Sequence, residues 1–316
     1  MRLILSSVLL GLMWFAVVNA AASLVAWVFG RFLLRRREHV GAGLALGVRL
    51  FPAAVSSVFV LAVFLPAHWR FEPAESDESF GIVLGVVAAL GLCLVSRAVW
   101  RAARAGLAGH RFAALLRRAG AHAGGEVFEL GGLPGVSLAG IWRPRVVVGP
   151  DARAALTPAE LDLAVAHERA HRRSGDNLKR FLVHAAPDMF GWTTVARQLE
   201  NRWQAEAECE ADADAVGGDG DRAVVLAAAL VKVARLATLA GLQSVPPAWT
   251  SSAFHVPTLL ELRVRRLLTG SFPPAAARRL GWSSAVVSAS LAAGLWLAGF
   301  SHTLHSVTET LVTHLP

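Results

Sequence analysis

Residues 157–175 read T-P-A-E-L-D-L-A-V-A-H-E-R-A-H-R-R-S-G, and this stretch decides what kind of fold the chain needs. Thr157 offers an N-cap hydroxyl, Pro158 a first helical residue with no amide hydrogen to satisfy, and Glu160 a carboxylate three residues after the cap. Leu161, Ala164, Val165, Ala166 and Ala170 supply an apolar side, and Ser174-Gly175 ends the run. A helix is therefore expected from Pro158 to about Arg173. Inside it, His167-Glu168-Arg169-Ala170-His171 spells H-E-x-x-H. Side chains four apart lie on one helix face, so His167 and His171 can share one metal ion. Glu168 sits about a third of a turn from His167, where its carboxylate can take a proton from a water at that metal.

Two histidines on an amphipathic helix can also be surface residues, so the rest of a site has to be found. A catalytic zinc takes three protein ligands and keeps a fourth position open. The acidic run Glu206-Ala-Glu-Cys-Glu-Ala-Asp-Ala-Asp214 lies on a second expected helix that starts near Thr194. Such a run is usually a solvated face. Here it contains no Lys or Arg, and Glu206, Glu210 and Asp214, like Glu208 and Asp212, stack at intervals of four. Like-charge pairs of that kind cost a bare helix roughly 0.2–0.5 kcal/mol each, and a nearby divalent cation removes the cost. Alanine alternates with the acids too regularly for periodicity to choose which face is turned inward.

Residues 167–178, H-E-R-A-H-R-R-S-G-D-N-L, followed by 206–216, E-A-E-C-E-A-D-A-D-A-V, resemble the BlaR/MecR-type integral membrane zinc metallopeptidases of the antirepressor type, relatives of the HtpX and CaaX-processing proteases. The resemblance implies Zn2+ held by His167, His171 and Glu208, with Glu168 as general base. Glu210 is the alternative third ligand, because Glu210 to Asp214 also fits the family's E-x-x-x-D; Glu208 is preferred because Glu208 to Val216 spans the longer E-x-x-x-D-D-x-A-V. Asp212 and Asp176 are then outer carboxylates, of the kind that orient ligand imidazoles; for Asp176 a plain turn aspartate is the equal alternative. Residues 136–150 read as strand and turn, and the relatives use an edge strand there to hold an extended peptide by its main chain. An apolar helix is expected over 221–240, and residues 259–268 resemble the family's closing helix. Peptide hydrolysis also needs an electrophile for the developing oxyanion. The chain has no tyrosine, which leaves His255 and Arg263 as candidate oxyanion or substrate contacts. The implied substrate is a cytoplasmic protein, such as a transcriptional repressor. An HtpX- or CaaX-like quality-control or processing protease, and a non-enzymic membrane signal transducer, are the alternatives.

Composition sets the surroundings of this chemistry. Of the 316 residues, 54% are hydrophobic and only 17% charged, and the mean hydropathy is +0.49. An integral membrane protein is expected. Residues 3–30, 50–66, 80–96 and 281–300 are apolar enough to cross a hydrocarbon core of about 30 Å. The first run continues beyond a usual signal-peptide core, so it is read as a retained helix. Arg31, Arg35, Arg36 and Arg37 mark a cytoplasmic loop, whereas Glu72, Glu75, Asp77 and Glu78 mark an external one.

Both termini are then outside, and residues 97–280 form a cytoplasmic domain between the third and fourth spans. Arg49 is expected to snorkel to the interface and Asn19 to make a helix–helix contact. The net charge of +8 collects beside the spans, where topology and anionic lipid account for it without nucleic acid. Cys93 and Cys209 imply no disulfide. The tail after residue 300 is too short for an external sensor domain. The expected fold is a mainly α membrane protein with four transmembrane helices. Residues 1–96 carry three of them, residues 97–280 an α+β gluzincin-like metallopeptidase domain with a small sheet, and residues 281–316 the fourth helix and a short tail.

Overall fold

The computed structural model describes residues 2–35, 41–71, 81–119, 121–122, 127–133, 135–239, 257–270, 306–308 and 310. The expected fourth span, the acidic loop, His255 and the loop over 244–252 lie outside the described residues.

Helix α1 runs Arg2–Arg35. Helix α2, Ala42–Val58, passes through a π-helical segment, Phe59–Phe64, into α3, Leu65–Phe71. Helix α4 runs Ile82–Ala119. Among the described residues, three helical stretches are long and apolar enough to cross a membrane: Ile4–Arg35, Ala42–Arg70 and Ile82–Arg118. Each is longer than its apolar run predicts, because Ala, Leu and Arg are strong helix formers and keep the helix going after hydrophobicity ends. Where α1 and α4 meet, a Cβ on Gly91 would collide with the Leu12 carbonyl oxygen, so only glycine allows that approach.

The chain forms two compact units, and Ala185–Arg202 belongs with Met1–Trp100 in the first. The reason lies in polar groups on apolar helices, which neither lipid nor a hydrophobic neighbour can satisfy. Asn19 donates to Ser56 Oγ at 3.2 Å, the expected contact between α1 and α2. It also donates to the Pro187 carbonyl at 3.0 Å, and the Met189 amide donates back to Asn19 Oδ1 at 3.1 Å. Arg49, expected at the interface, has a partner within the protein. It is buried, with Nη1 2.6 Å from Asp188 Oδ2, because residues 186–193 bring it a carboxylate that sequence distance had hidden. Asp188→Ala strands that guanidinium, so a destabilisation of about 3–5 kcal/mol is expected; thermal melting of the full chain in detergent measures it, and an unchanged melting temperature would refute it.

The second unit, Arg101–His184 with Trp203–Arg279, holds a sheet of order β1-β2-β4-β3. Its strands are β1 Ala121–His122, β2 Val127–Glu129, β3 Val136–Ala139 and β4 Arg145–Val148. β3 and β4 form an antiparallel hairpin, while β2 pairs parallel to β4. Val146, Val147 and Val148 are β-branched residues suited to this central strand.

Helices α5 Pro150–Ala155, α6 Pro158–Ser174, α7 Asp176–Ala185, α8 Thr194–Val216, α9 Gly220–Leu239 and α10 Pro257–Thr269 complete the described elements. Val136, Leu138, Val146 and Val148 of the hairpin, Leu163 and Ala164 of α6, and Leu226, Leu230 and Val233 of α9 share one core. That core fixes α6 over the sheet. Helix α7 is not expected from the sequence, where Ser174-Gly175 ends the helical run. Gly175 takes a left-handed φ of 68°, and this turns the chain so that a new helix begins at the next residue.

Candidate metal centre

The site is built on α6. The expected capping box is present: the Glu160 amide donates to Thr157 Oγ1 and the Thr157 amide to Glu160 Oε2 at 2.8 Å. Lys232 of α9 donates to the same Oε2 at 2.7 Å, so the start of the helix is held from two sides. Further along, the helix turns inward the residues that carry the motif. His167, Glu168 and His171 are at most 1% exposed.

From α8, Glu208 joins them, 0% exposed. His167, His171 and Glu208 lie close enough together to hold one metal ion. The two Nε2 atoms are 3.1 Å apart. Glu208 Oε2 is 3.4 Å from His167 Nε2, and Oε1 is 3.4 Å from His171 Nε2. Metal–ligand bonds of about 2.0–2.1 Å in a tetrahedral site separate the ligands by about 3.3 Å, so the donor spacing fits.

The other ring nitrogens show why these faces want a cation. His171 Nδ1 is 2.7 Å from Asp176 Oδ2, and His167 Nδ1 is 2.9 Å from Asp212 Oδ1. A carboxylate at Nδ1 selects the tautomer with its proton there, leaving the lone pair on Nε2. Two Nε2 atoms and a carboxylate then converge on one point, where a metal ion can be held, and the Arg263 guanidinium reaches the same point with Nη2 3.4 Å from His167 Nε2. Burial opposes charge on both imidazoles, yet Glu208 and Asp176 push His171 up to about 10, and Asp212 with Glu208 raises His167. Burial also opposes ionisation of Glu208, but His171 and Arg263 hold it well below the usual carboxylate range.

Two guanidiniums close the site. Arg263 of α10 donates from Nε and Nη2 to Asp212 at 2.8 and 2.7 Å, and its Nη1 is 3.1 Å from Glu208 Oε2. Against the cost of burial, this pairing brings Asp212 down to about 2. Arg263, a candidate for oxyanion or substrate contact, thus stands at the centre with its nitrogens beside Asp212, Glu208 and the Nε2 of His167. Arg180 of α7 donates to Glu208 Oε1 at 3.2 Å.

The acidic run of α8 is sorted by this geometry. Glu208 and Asp212 face inward. Glu206 pairs with Arg266 at 3.1 Å and Asp214 with Arg173 at 3.5 Å, partners that come from α10 and α6. Glu210 is half-buried and is not part of the metal-holding group. Burial raises the Cys209 thiol to about 11, so it stays protonated beside the centre. Arg180 and Asn177 were not anticipated. The available signal was the spacing of Asp176 and Arg180, which on a helix lie four apart on one face.

No family model, curated protein or solved structure matches the chain. Among the described residues, fold and site together define a mostly helical protein with three helices long and apolar enough to cross a membrane and a buried His-His-Glu group able to hold a metal ion.

Proposed function

We propose that the chain is a membrane-anchored, zinc-dependent endopeptidase that hydrolyses peptide bonds in cytoplasmic protein substrates. The observation that carries the reading is the convergence of two Nε2 atoms and the Glu208 carboxylate, with Asp176 2.7 Å from His171 Nδ1 and Asp212 2.9 Å from His167 Nδ1. That donor set suits Zn2+, and three protein ligands leave a position open. A zinc ion bound there supplies Lewis acidity toward a scissile carbonyl. The protein's own groups do the rest. Glu168, adjacent to a ligand and buried, accepts a proton from the attacking water and returns it to the leaving amine. Asp176, hydrogen-bonded to His171 Nδ1, keeps that imidazole in one tautomer and orientation, and the Asp212 carboxylate stands beside His167 Nδ1. The resemblance to the antirepressor peptidases supports a transcriptional repressor as the substrate, and the basic cluster Arg31, Arg35, Arg36 and Arg37 supports a cytoplasmic placement of the catalytic unit, between the third span and an expected fourth.

Metal removal tests this reading. Full-length protein in detergent, stripped with a chelator and assayed on an unfolded protein substrate, is expected to lose hydrolysis and regain it with one equivalent of Zn2+. Hydrolysis that persists in protein shown to be metal-free would overturn the proposal.

A further inference from the structure

One residue, Gly175, separates α6 from α7, and the first five residues of α7 reach three different elements. Asp176 holds His171 Nδ1 of α6 at 2.7 Å, and Lys179 takes the other oxygen of Asp176 at 2.9 Å. Asn177 donates to the carbonyls of Leu138 and Gly140, at the end of β3, at 3.0 and 2.8 Å. Arg180, four residues after Asp176 and so on the same face, reaches Glu208 of α8. One short helix therefore touches a ligand from each of the two helices that build the centre.

The arrangement around Glu208 gives Arg180 a specific task. Each carboxylate oxygen has one imidazole nitrogen and one guanidinium beside it: His167 and Arg263 at Oε2, His171 and Arg180 at Oε1. Arg263 is also committed to Asp212 through two nitrogens, whereas Arg180 is the cation on the Oε1 side. Without Arg180 the carboxylate keeps a guanidinium on one side only and is free to rotate toward Arg263, which takes Oε1 away from His171. A guanidinium whose side chain is 6% exposed, beside a carboxylate that is 0% exposed, also imposes a directed N–H bond that a mobile surface charge does not.

We propose that Arg180 is the positioning residue for Glu208, setting the orientation in which that carboxylate completes the metal centre. This inference rests on the metal-centre reading above and concerns binding, so it is tested without peptide hydrolysis. Co2+ and Zn2+ are titrated into metal-free full-length protein in detergent, for wild type, Arg180→Met and Arg180→Lys, with circular dichroism confirming helix content in each. Arg180→Met is expected to weaken Co2+ and Zn2+ binding about 10- to 100-fold and to shift the visible bands of the Co2+ form, because the ligand field has changed. Arg180→Lys, which keeps a cation near Oε1, recovers most of the loss.

Wild-type affinity and bands in Arg180→Met would overturn the proposal. So would an equal loss in both variants, which marks a packing role. A wild-type protein that binds Co2+ but cleaves no peptide counts against the endopeptidase reading and leaves the role of Arg180 standing.

Discussion

Glu168→Gln is expected to keep the metal and lose peptide hydrolysis. The amide has nearly the shape of the carboxylate, so the packing of a side chain that is 0% exposed survives the exchange. An amide oxygen cannot accept the proton of an attacking water at neutral pH, nor can the amide deliver one to a leaving amine. General acid–base groups contribute about 100- to 10,000-fold to rate, and here one residue serves both proton transfers, so a fall at the upper end of that range is expected. The ligands His167, His171 and Glu208 are untouched, so metal content by elemental analysis should equal that of wild type. Undiminished turnover in Glu168→Gln would remove Glu168 as the base. Loss of metal together with activity would instead assign Glu168 to the integrity of the centre.

Much of this site was legible in the sequence because its main signals are local. Thr157, Pro158 and Glu160 form a cap within four residues, and His167 and His171 share a face by helix geometry alone, so α6 and its metal-facing side follow from spacing. Glu208 was less legible, since alanines separate the acids of α8 evenly and hide which face is buried. The choice is made by Arg173, Arg180, Arg263 and Arg266, cations contributed by other helices and up to 60 residues distant along the chain. Helix α7 was invisible for a different reason. Gly175 reads as a terminator, and only its left-handed φ shows that the chain restarts at once. The pairing of Arg49 with Asp188 was hidden by separation too, 139 residues along the chain, so a lone cation on an apolar helix was given the interface as its default.

Glu208→Gln and Glu210→Gln should separate cleanly in metal content. An amide oxygen is a weak, neutral ligand, and the exchange also leaves Arg180 and Arg263 facing a group with no charge. Replacing supporting residues around a metal already costs about 10- to 100-fold in affinity, so losing the ligand itself should cost at least the upper figure. Glu210→Gln should bind Zn2+ as wild type does.

The rotation of α8 is what makes the two outcomes exclusive. Residues two apart on an α-helix point about 200° away from each other, so Glu210 can replace Glu208 at the centre only if the whole helix turns over. Such a turn would break the pairing of Glu206 with Arg266 and of Asp214 with Arg173, and would take Asp212 from Arg263. Because Glu208→Gln removes the negative charge that Arg180 and Arg263 face, its helix content and melting temperature must be measured beside its metal content. A folded Glu208→Gln that retains full metal, with the loss appearing in Glu210→Gln, would mean that α8 presents its other face to the histidines.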